Sequence, residues 1–192
     1  LDGDQLLFVL ARARLAAGEL KGPVVGTVMT NLGLEVALAE LGIPFLRAAV
    51  GDRNVLQLLR THGGSLGGES SGHLLCLDKT TTGDGLIVAL QVLAVMKATG
   101  KTLAELAAGM RKFPQQMINV QVARGFDAAA DRTVAAAIEN VEQELGKRGR
   151  VVLRASGTEP VIRVMVEGED AQAVGKHAAA LAEVVRAAAG AA

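Results

Sequence analysis

The sequence predicts an α/β protein in two parts: a mixed-sheet α/β domain over residues 1–113, and a small α+β domain over 114–192 with an antiparallel sheet and two helices. Three observations carry this expectation. Half of the 192 residues are hydrophobic, which is enough apolar surface for one or two cores. Up to Pro114, segments with leucines at three- and four-residue steps alternate with short apolar runs, the pattern of helices and buried strands. Beyond Pro114 the order becomes βαββα, which implies a separate antiparallel sheet.

Asp4 is placed to cap a helix from Gln5 to about Ala17, with Leu6, Leu10 and Leu15 near one face, and Gly18 to Pro23 breaks it. Val24 to Met29 reads as a buried strand. Thr30 or Asn31 then caps a helix striped by Leu34, Leu38 and Leu41 and ended by Gly42 and Pro44. Phe45 to Val50 is a strand, and a short helix runs from about Asn54 to Thr61. A Gly-rich stretch from Gly63 to Gly72 leads into a strand from His73 to Leu77. After the loop Lys79 to Gly83, Asp84 caps a helix carrying Leu86, Leu90 and Leu93. Thr102 and Glu105 have capping-box spacing for a last helix that stops before Pro114. In the second part, Met117 to Val122 alternates as a strand, and Val134, Ile138, Val141 and Leu145 stripe a helix. Strands Arg150–Arg154 and Val161–Glu167 flank a tight turn, and Val174, Ala178, Leu181 and Val185 mark the final helix.

Composition excludes several function classes. Twenty basic residues balance twenty acidic ones, and four Phe with no Tyr or Trp offer bases almost nothing to stack on, so no nucleic-acid partner is expected. The apolar run Leu86 to Met96 is broken by Gln91 and falls short of a bilayer span. No basic segment precedes an apolar stretch at the amino terminus, so neither a membrane span nor an export signal is expected. The single cysteine, Cys76, lies in an apolar run and reads as a buried thiol in a reducing compartment. His62, His73 and His177 have no metal-ligand spacing. Asp2-Gly3-Asp4 looks like a magnesium loop, yet Gln5 and Leu6 follow where a third carboxylate would stand. No metal ligand is expected, and Asp4, like Asp84, is read as a helix cap.

Two loops have the residues for binding chemistry. Between the last two strands runs Arg154-Ala155-Ser156-Gly157-Thr158-Glu159-Pro160-Val161-Ile162-Arg163. Its small residues let successive backbone N–H groups converge, its hydroxyls add donors, and an arginine stands at each shoulder, which suits a phosphate dianion. The competing reading is an ordinary hairpin turn whose arginines are solvated or paired with Glu159. The second loop is Gly67-Gly68-Glu69-Ser70-Ser71-Gly72-His73, where glycines allow close approach and a carboxylate and hydroxyl can grip vicinal sugar hydroxyls. Its competing reading is a flexible loop with Glu69 in water and His73 at a strand end.

These two loops, with Thr80-Thr81-Thr82-Gly83-Asp84-Gly85 between them, resemble the bacterial phosphoglucosamine mutases of the α-D-phosphohexomutase superfamily along nearly the whole chain. Relatives acting on glucose or mannose phosphates usually have a methionine in the sugar loop and Asn-Thr-Thr in the phosphate loop, and this sequence has neither. The resemblance implies that residues 1–113 are domain 3, with the sugar-binding loop, and residues 114–192 the C-terminal domain 4, with the phosphate-binding loop. It implies an isomerase that interconverts glucosamine 6-phosphate and glucosamine 1-phosphate through a phosphoserine and a hexosamine 1,6-bisphosphate, with Mg2+ assisting, for synthesis of cell-wall precursors in the cytoplasm. The serine and metal loops of domains 1 and 2 are not in these residues, so Leu1 looks like a truncation point and the chain alone is expected to be inactive.

Carried onto this sequence, the resemblance implies that Glu69 and Ser71 hold ring hydroxyls with His73 beside them, and that Arg53 faces the substrate. It implies that Arg154, Ser156, Gly157, Thr158 and Arg163 hold the phosphate that is not reacting. No catalytic residue is expected in this chain; the partner is a phosphorylated hexosamine. Two alternatives stay open: a stand-alone phosphosugar-binding module, and a mutase acting on glucose or mannose phosphates.

Overall fold

The computed structural model describes residues 1–190 apart from Arg124 and Thr158. The chain divides into two compact units, Leu1–Lys112 and Phe113–Ala192. The first contains α1 (Gly3–Ala16), β1 (Val24–Thr27), α2 (Leu32–Glu40), β2 (Phe45–Ala48), α3 (Asp52–His62), β3 (Leu66–Gly68), β4 (Leu74–Cys76), α4 (Gly85–Thr99) and α5 (Leu103–Ala107). The second contains β5 (Gln115–Gln121), α6 (Arg132–Leu145), β6 (Gly149–Ala155), β7 (Val161–Gly168) and α7 (Ala171–Gly190).

The first unit's sheet has the order β2-β1-β3-β4. The strand β1 is parallel to β2 and β3, and β3 is antiparallel to β4, so the sheet is mixed as the sequence predicts. Its central strands are buried on both faces, and successive residues enter different cores. Val24, Leu74 and Cys76 join Leu7, Phe8 and Leu10 of α1, Leu34 and Leu38 of α2, and Val88 and Val92 of α4. Val25 and Leu75 instead meet Val55 and Leu59 of α3. Burial pushes the Cys76 thiol above its usual value, which fits its reading as a buried thiol.

The second unit's sheet has the order β5-β7-β6, with both pairs antiparallel. Val120, Ile162, Val164 and Val166 share a core with Val134 and Val141 of α6 and Val174, Leu181 and Val185 of α7. On β7 the alternate residue Glu167 is fully buried, where it accepts from Arg150 Nη2 at 2.8 Å and Gln115 Nε2 at 3.0 Å, one partner from each neighbouring strand. Taking away one partner of such a buried pair costs about 3–5 kcal/mol.

Three expectations are corrected. Asp2, not Asp4, caps α1: its side chain accepts from Gln5 N–H and the Gln5 side chain returns the bond, a capping box. Asp4 is buried and accepts from Asn31 N–H at 2.9 Å, which ties α1 to the start of α2. The stretch Gly63–Gly72 is not all loop, because Leu66–Gly68 forms β3 and pairs with two strands. Glycine's low strand propensity is overridden here by close packing. Finally, Leu86, Leu90 and Leu93 are 79, 62 and 56 % exposed, while Val88 and Val92 form the buried face of α4. The helix is apolar on nearly all sides, so its leucine spacing did not identify the core face. By contrast, the Asn31, Asp84 and Thr102 caps form as expected.

A Cβ added to Gly67 would lie 2.6 Å from the Val25 carbonyl oxygen and 3.0 Å from Val55 Cγ1, whereas one added to Gly85 meets nothing within 4 Å. Gly67→Ala should therefore destabilise the first unit by about 1–3 kcal/mol, and Gly85→Ala should be neutral or stabilising. Urea unfolding midpoints of the two variants check this ordering.

Candidate functional site

The first unit's candidate site is built where β3 turns into β4. Pairing continues past the strand, with Glu69 N–H donating to the His73 carbonyl at 2.9 Å, and Ser70, Ser71 and Gly72 make the turn. Gly3 N–H donates to the Ser70 carbonyl at 3.0 Å, so the start of α1 braces the turn. These bonds tie the loop to its neighbours, while His73 stands at the end of β4 as the competing reading has it. Glu69 is half-buried, and its Oε1 accepts from Gly51 N–H at 3.0 Å, across from the loop that opens α3. His73 Nδ1 lies 3.1 Å from Asp52 Oδ2.

The structure thus gathers Asp52, Glu69 and His73, whose ligating atoms lie within 4.8 Å of one another. Ser71 is exposed on the same turn. Arg53, next to Asp52 in the first turn of α3, is exposed and hydrogen-bonds to none of these residues. A carboxylate that accepts and a hydroxyl that donates or accepts provide the complementary contacts that sugar hydroxyls require. Asp52 is the residue that sequence reasoning missed. Its signal was its position at the helix start after β2, opposite a loop already singled out.

These three groups are a poor site for magnesium. That ion takes oxygen ligands in a near-ideal octahedron, whereas one group here is an imidazole and Glu69 is already engaged with a backbone N–H.

The second unit's candidate site lies at the turn between β6 and β7. Arg154 and Arg163 are direct partners in the strand register, so their side chains leave the same face of the sheet side by side. Among the described residues neither guanidinium pairs with a carboxylate, and Arg154 Nε is buried without a hydrogen-bond partner. The pairing with Glu159 offered by the competing reading does not form: Glu159 is exposed, and its N–H donates to Ser156 Oγ at 3.4 Å. Ser156 N–H closes the turn onto the Val161 carbonyl at 2.8 Å. The turn opens on a depression of about 380 Å3 lined by Ser156, Gly157 and Pro160 on one side and Ala123, Gly125 and Phe126 on the other. Thr158 lies outside the described residues.

Two like charges directly opposed on neighbouring strands are unfavourable by themselves. A dianion placed between two guanidinium groups would convert that repulsion into charge-assisted hydrogen bonds. The sequence placed an arginine at each shoulder of the turn; the register shows that they face each other.

Both units have counterparts among known proteins. Residues 2–113 match the family profile "Phosphoglucomutase/phosphomannomutase, alpha/beta/alpha domain III", and residues 117–184 match "Phosphoglucomutase/phosphomannomutase, C-terminal domain". A phosphoglucosamine mutase of Alkalilimnicola ehrlichii is 59% identical over 186 residues, which is 97% of this chain and 41% of that protein. One from Halorhodospira halophila is 58% identical over 98% of this chain and 42% of its own length. The chain therefore spans about two fifths of the length of these relatives. Among solved structures, Aspergillus fumigatus N-acetylphosphoglucosamine mutase in complex with GlcNAc-6P and magnesium superposes with a TM-score of 0.83 at 22% identity, over 98% of this chain and 44% of that one. An N-acetylglucosamine-phosphate mutase in its product complex gives 0.82 at 20% identity, over 96% and 44%. At these identities, the two structures establish the fold.

The opposed arginines have a measurable consequence. With no anion present, Arg154→Gln should leave stability unchanged or raise it, by up to about 1 kcal/mol. Inorganic phosphate at fixed ionic strength should stabilise the wild-type chain more than the variant. Urea titrations with and without phosphate test both statements.

Proposed function

Because the chain belongs to the phosphoglucomutase/phosphomannomutase family, we propose that it provides the sugar-holding and phosphate-holding parts of a phosphoglucosamine mutase, which interconverts glucosamine 6-phosphate and glucosamine 1-phosphate. The observation that carries the reading is the Arg154–Arg163 couple, unpaired among the described residues, at a turn of small residues whose chemistry suits an anion. Glucosamine is favoured over glucose or mannose because the similar relatives, at 54–59% identity, are named phosphoglucosamine mutases.

In this reading, Arg154, Arg163, Ser156, Gly157 and Thr158 hold the phosphate that is not being transferred. Glu69 and Ser71 hold ring hydroxyls, with His73 and Arg53 at the same loop cluster. Residues 1–113 act as the family's domain 3 and residues 114–192 as its domain 4. Anchoring the sugar edge and distal phosphate leaves the other end of the substrate in a fixed position, and such positioning can lower the barrier to in-line phosphoryl transfer by several kcal/mol. The transfer itself, through a phosphoserine and a bisphosphate with magnesium assisting, belongs to parts of the relatives that this chain does not span. Among the described residues, no helix is long and apolar enough to cross a membrane, and a water-soluble sugar phosphate suits a cytoplasmic enzyme.

Isothermal titration of the chain with glucosamine 6-phosphate tests the reading. Arg154→Gln should weaken binding by about 1.5–3 kcal/mol, the value of a hydrogen bond to a charged group, while the fold remains intact by circular dichroism. Equal affinity in wild type and variant would remove the phosphate-holding role.

A further inference from the structure

We propose that Asp52, Glu69 and His73 form a site for a divalent transition ion, Zn2+ foremost, and that the bound ion closes the sugar-holding cluster to phosphosugar. The second half rests on the phosphosugar reading; the first does not. Two separate loops bring a carboxylate oxygen each from Asp52 and Glu69, and an imidazole nitrogen of His73, within 4.8 Å of one another. One imidazole with two carboxylates is a donor set that suits Zn2+ and that Mg2+ does not favour.

Geometry and charge both point to a cation. His73 Nδ1 and Asp52 Oδ2 are 3.1 Å apart with no hydrogen bond between them, and Asp52 Oδ1 is buried without a hydrogen-bond partner. Two ligand atoms on a tetrahedral ion with bonds of about 2.0–2.1 Å stand about 3.3 Å apart, so this pair is spaced like one edge of such a centre. Among the described residues no lysine or arginine forms an ion pair with Asp52 or Glu69. Two carboxylates therefore share one neighbourhood with only an imidazole beside them, a repulsion that a divalent ion removes.

The backbone holds all three groups in place. Glu69 N–H donates to the His73 carbonyl at 2.9 Å, and Glu69 Oε1 accepts from Gly51 N–H at 3.0 Å, directly before Asp52. That second bond leaves Glu69 Oε2 for the ion and orients the carboxylate, as outer partners of metal ligands do. Gly83 keeps the space beside Asp52 open, since a Cβ there would lie 3.7 Å from Oδ2. His73 is 73 % exposed, so its ring can turn onto the ion, and a coordination position remains toward solvent. Glu69 is also the group proposed to hold ring hydroxyls, so zinc and sugar compete for it.

Isothermal titration with ZnCl2 tests the site, in phosphate-free buffer at about pH 7.5, roughly one unit above the ordinary imidazole value. One Zn2+ per chain should bind, and MgCl2 should give no comparable heat. Asp52→Asn and His73→Gln, each with its fold checked by circular dichroism, should weaken zinc binding at least about tenfold. His62→Gln, His177→Gln and Arg154→Gln should retain it. Co2+ in place of Zn2+ gives a second readout, the visible absorption of a low-coordinate centre, which the same two variants should lose. Zinc at about ten times its dissociation constant should lower wild-type affinity for glucosamine 6-phosphate about tenfold, as competition for one site requires. The same zinc concentration should leave the affinity of Asp52→Asn at whatever value it has without zinc. Zinc binding that is absent, or unchanged in both Asp52→Asn and His73→Gln, overturns the site. Zinc bound through these residues with no effect on phosphosugar affinity overturns the competition. A wild type that binds zinc through them but binds no phosphosugar supports the metal site and overturns the functional reading, a result distinct from a chain that binds phosphosugar and no zinc.

Discussion

The first unit depends on a steric constraint at β3, a central strand that contributes a side chain from only one of its three residues. Gly67 and Gly68 lie where Val25, Val55 and Leu74 come too close to leave room for a Cβ. Their absence of side chains lets α3 settle on one face while β3 joins a parallel neighbour to an antiparallel one. The strand can therefore be short and still end abruptly at Glu69, whose carboxylate reaches the backbone at the head of α3. The same glycines that limit strand propensity thus place Glu69, the first side chain of the candidate site.

The two units solve different electrostatic problems. In the first, charged groups have close local neighbours: Glu69 accepts from a backbone N–H, Asp52 lies against an imidazole, and Arg14 lies 2.8 Å from Asp78. What the cluster offers a ligand is the hydrogen-bonding capacity of carboxylates and a nearby hydroxyl, a set suited to sugar hydroxyls. In the second, Glu167 and Arg150 neutralise each other at one end of the β6–β7 pair, while Arg154 and Arg163 keep two positive charges together at the other. One ladder carries an ion pair and, four residues along each strand, two arginines that pair with no carboxylate among the described residues. This contrast is why the couple reads as a binding site rather than as surface decoration.

Much of the fold was legible in the sequence, and the failures have physical causes. The Asn31, Asp84 and Thr102 caps were readable because capping is local chemistry. Asp4 was misread because Asp2 and Asp4 are equally good caps by residue type, and only tertiary contact with Asn31 separates them. Three residues of β3 looked like loop because their stabilisation comes from neighbours distant in the chain. For α4, Leu86, Leu90 and Leu93 had the spacing of a buried stripe, but a helix with apolar residues on most sides leaves the core face undetermined. At the sites, the chemistry of Glu69, Arg154 and Arg163 could be read from residue types. The partnership of Asp52 with His73 could not, because it spans two loops brought together by folding.

The register between β6 and β7 bears on protein engineering. A search ranking substitutions by stability alone would select the opposed arginines early, since replacing either with a neutral β-former removes a repulsion and adds strand propensity. Such a variant would look improved by every folding criterion. The proposed grip on phosphate would be gone, because the tension that makes the strand pair suboptimal by itself is what a bound anion relieves.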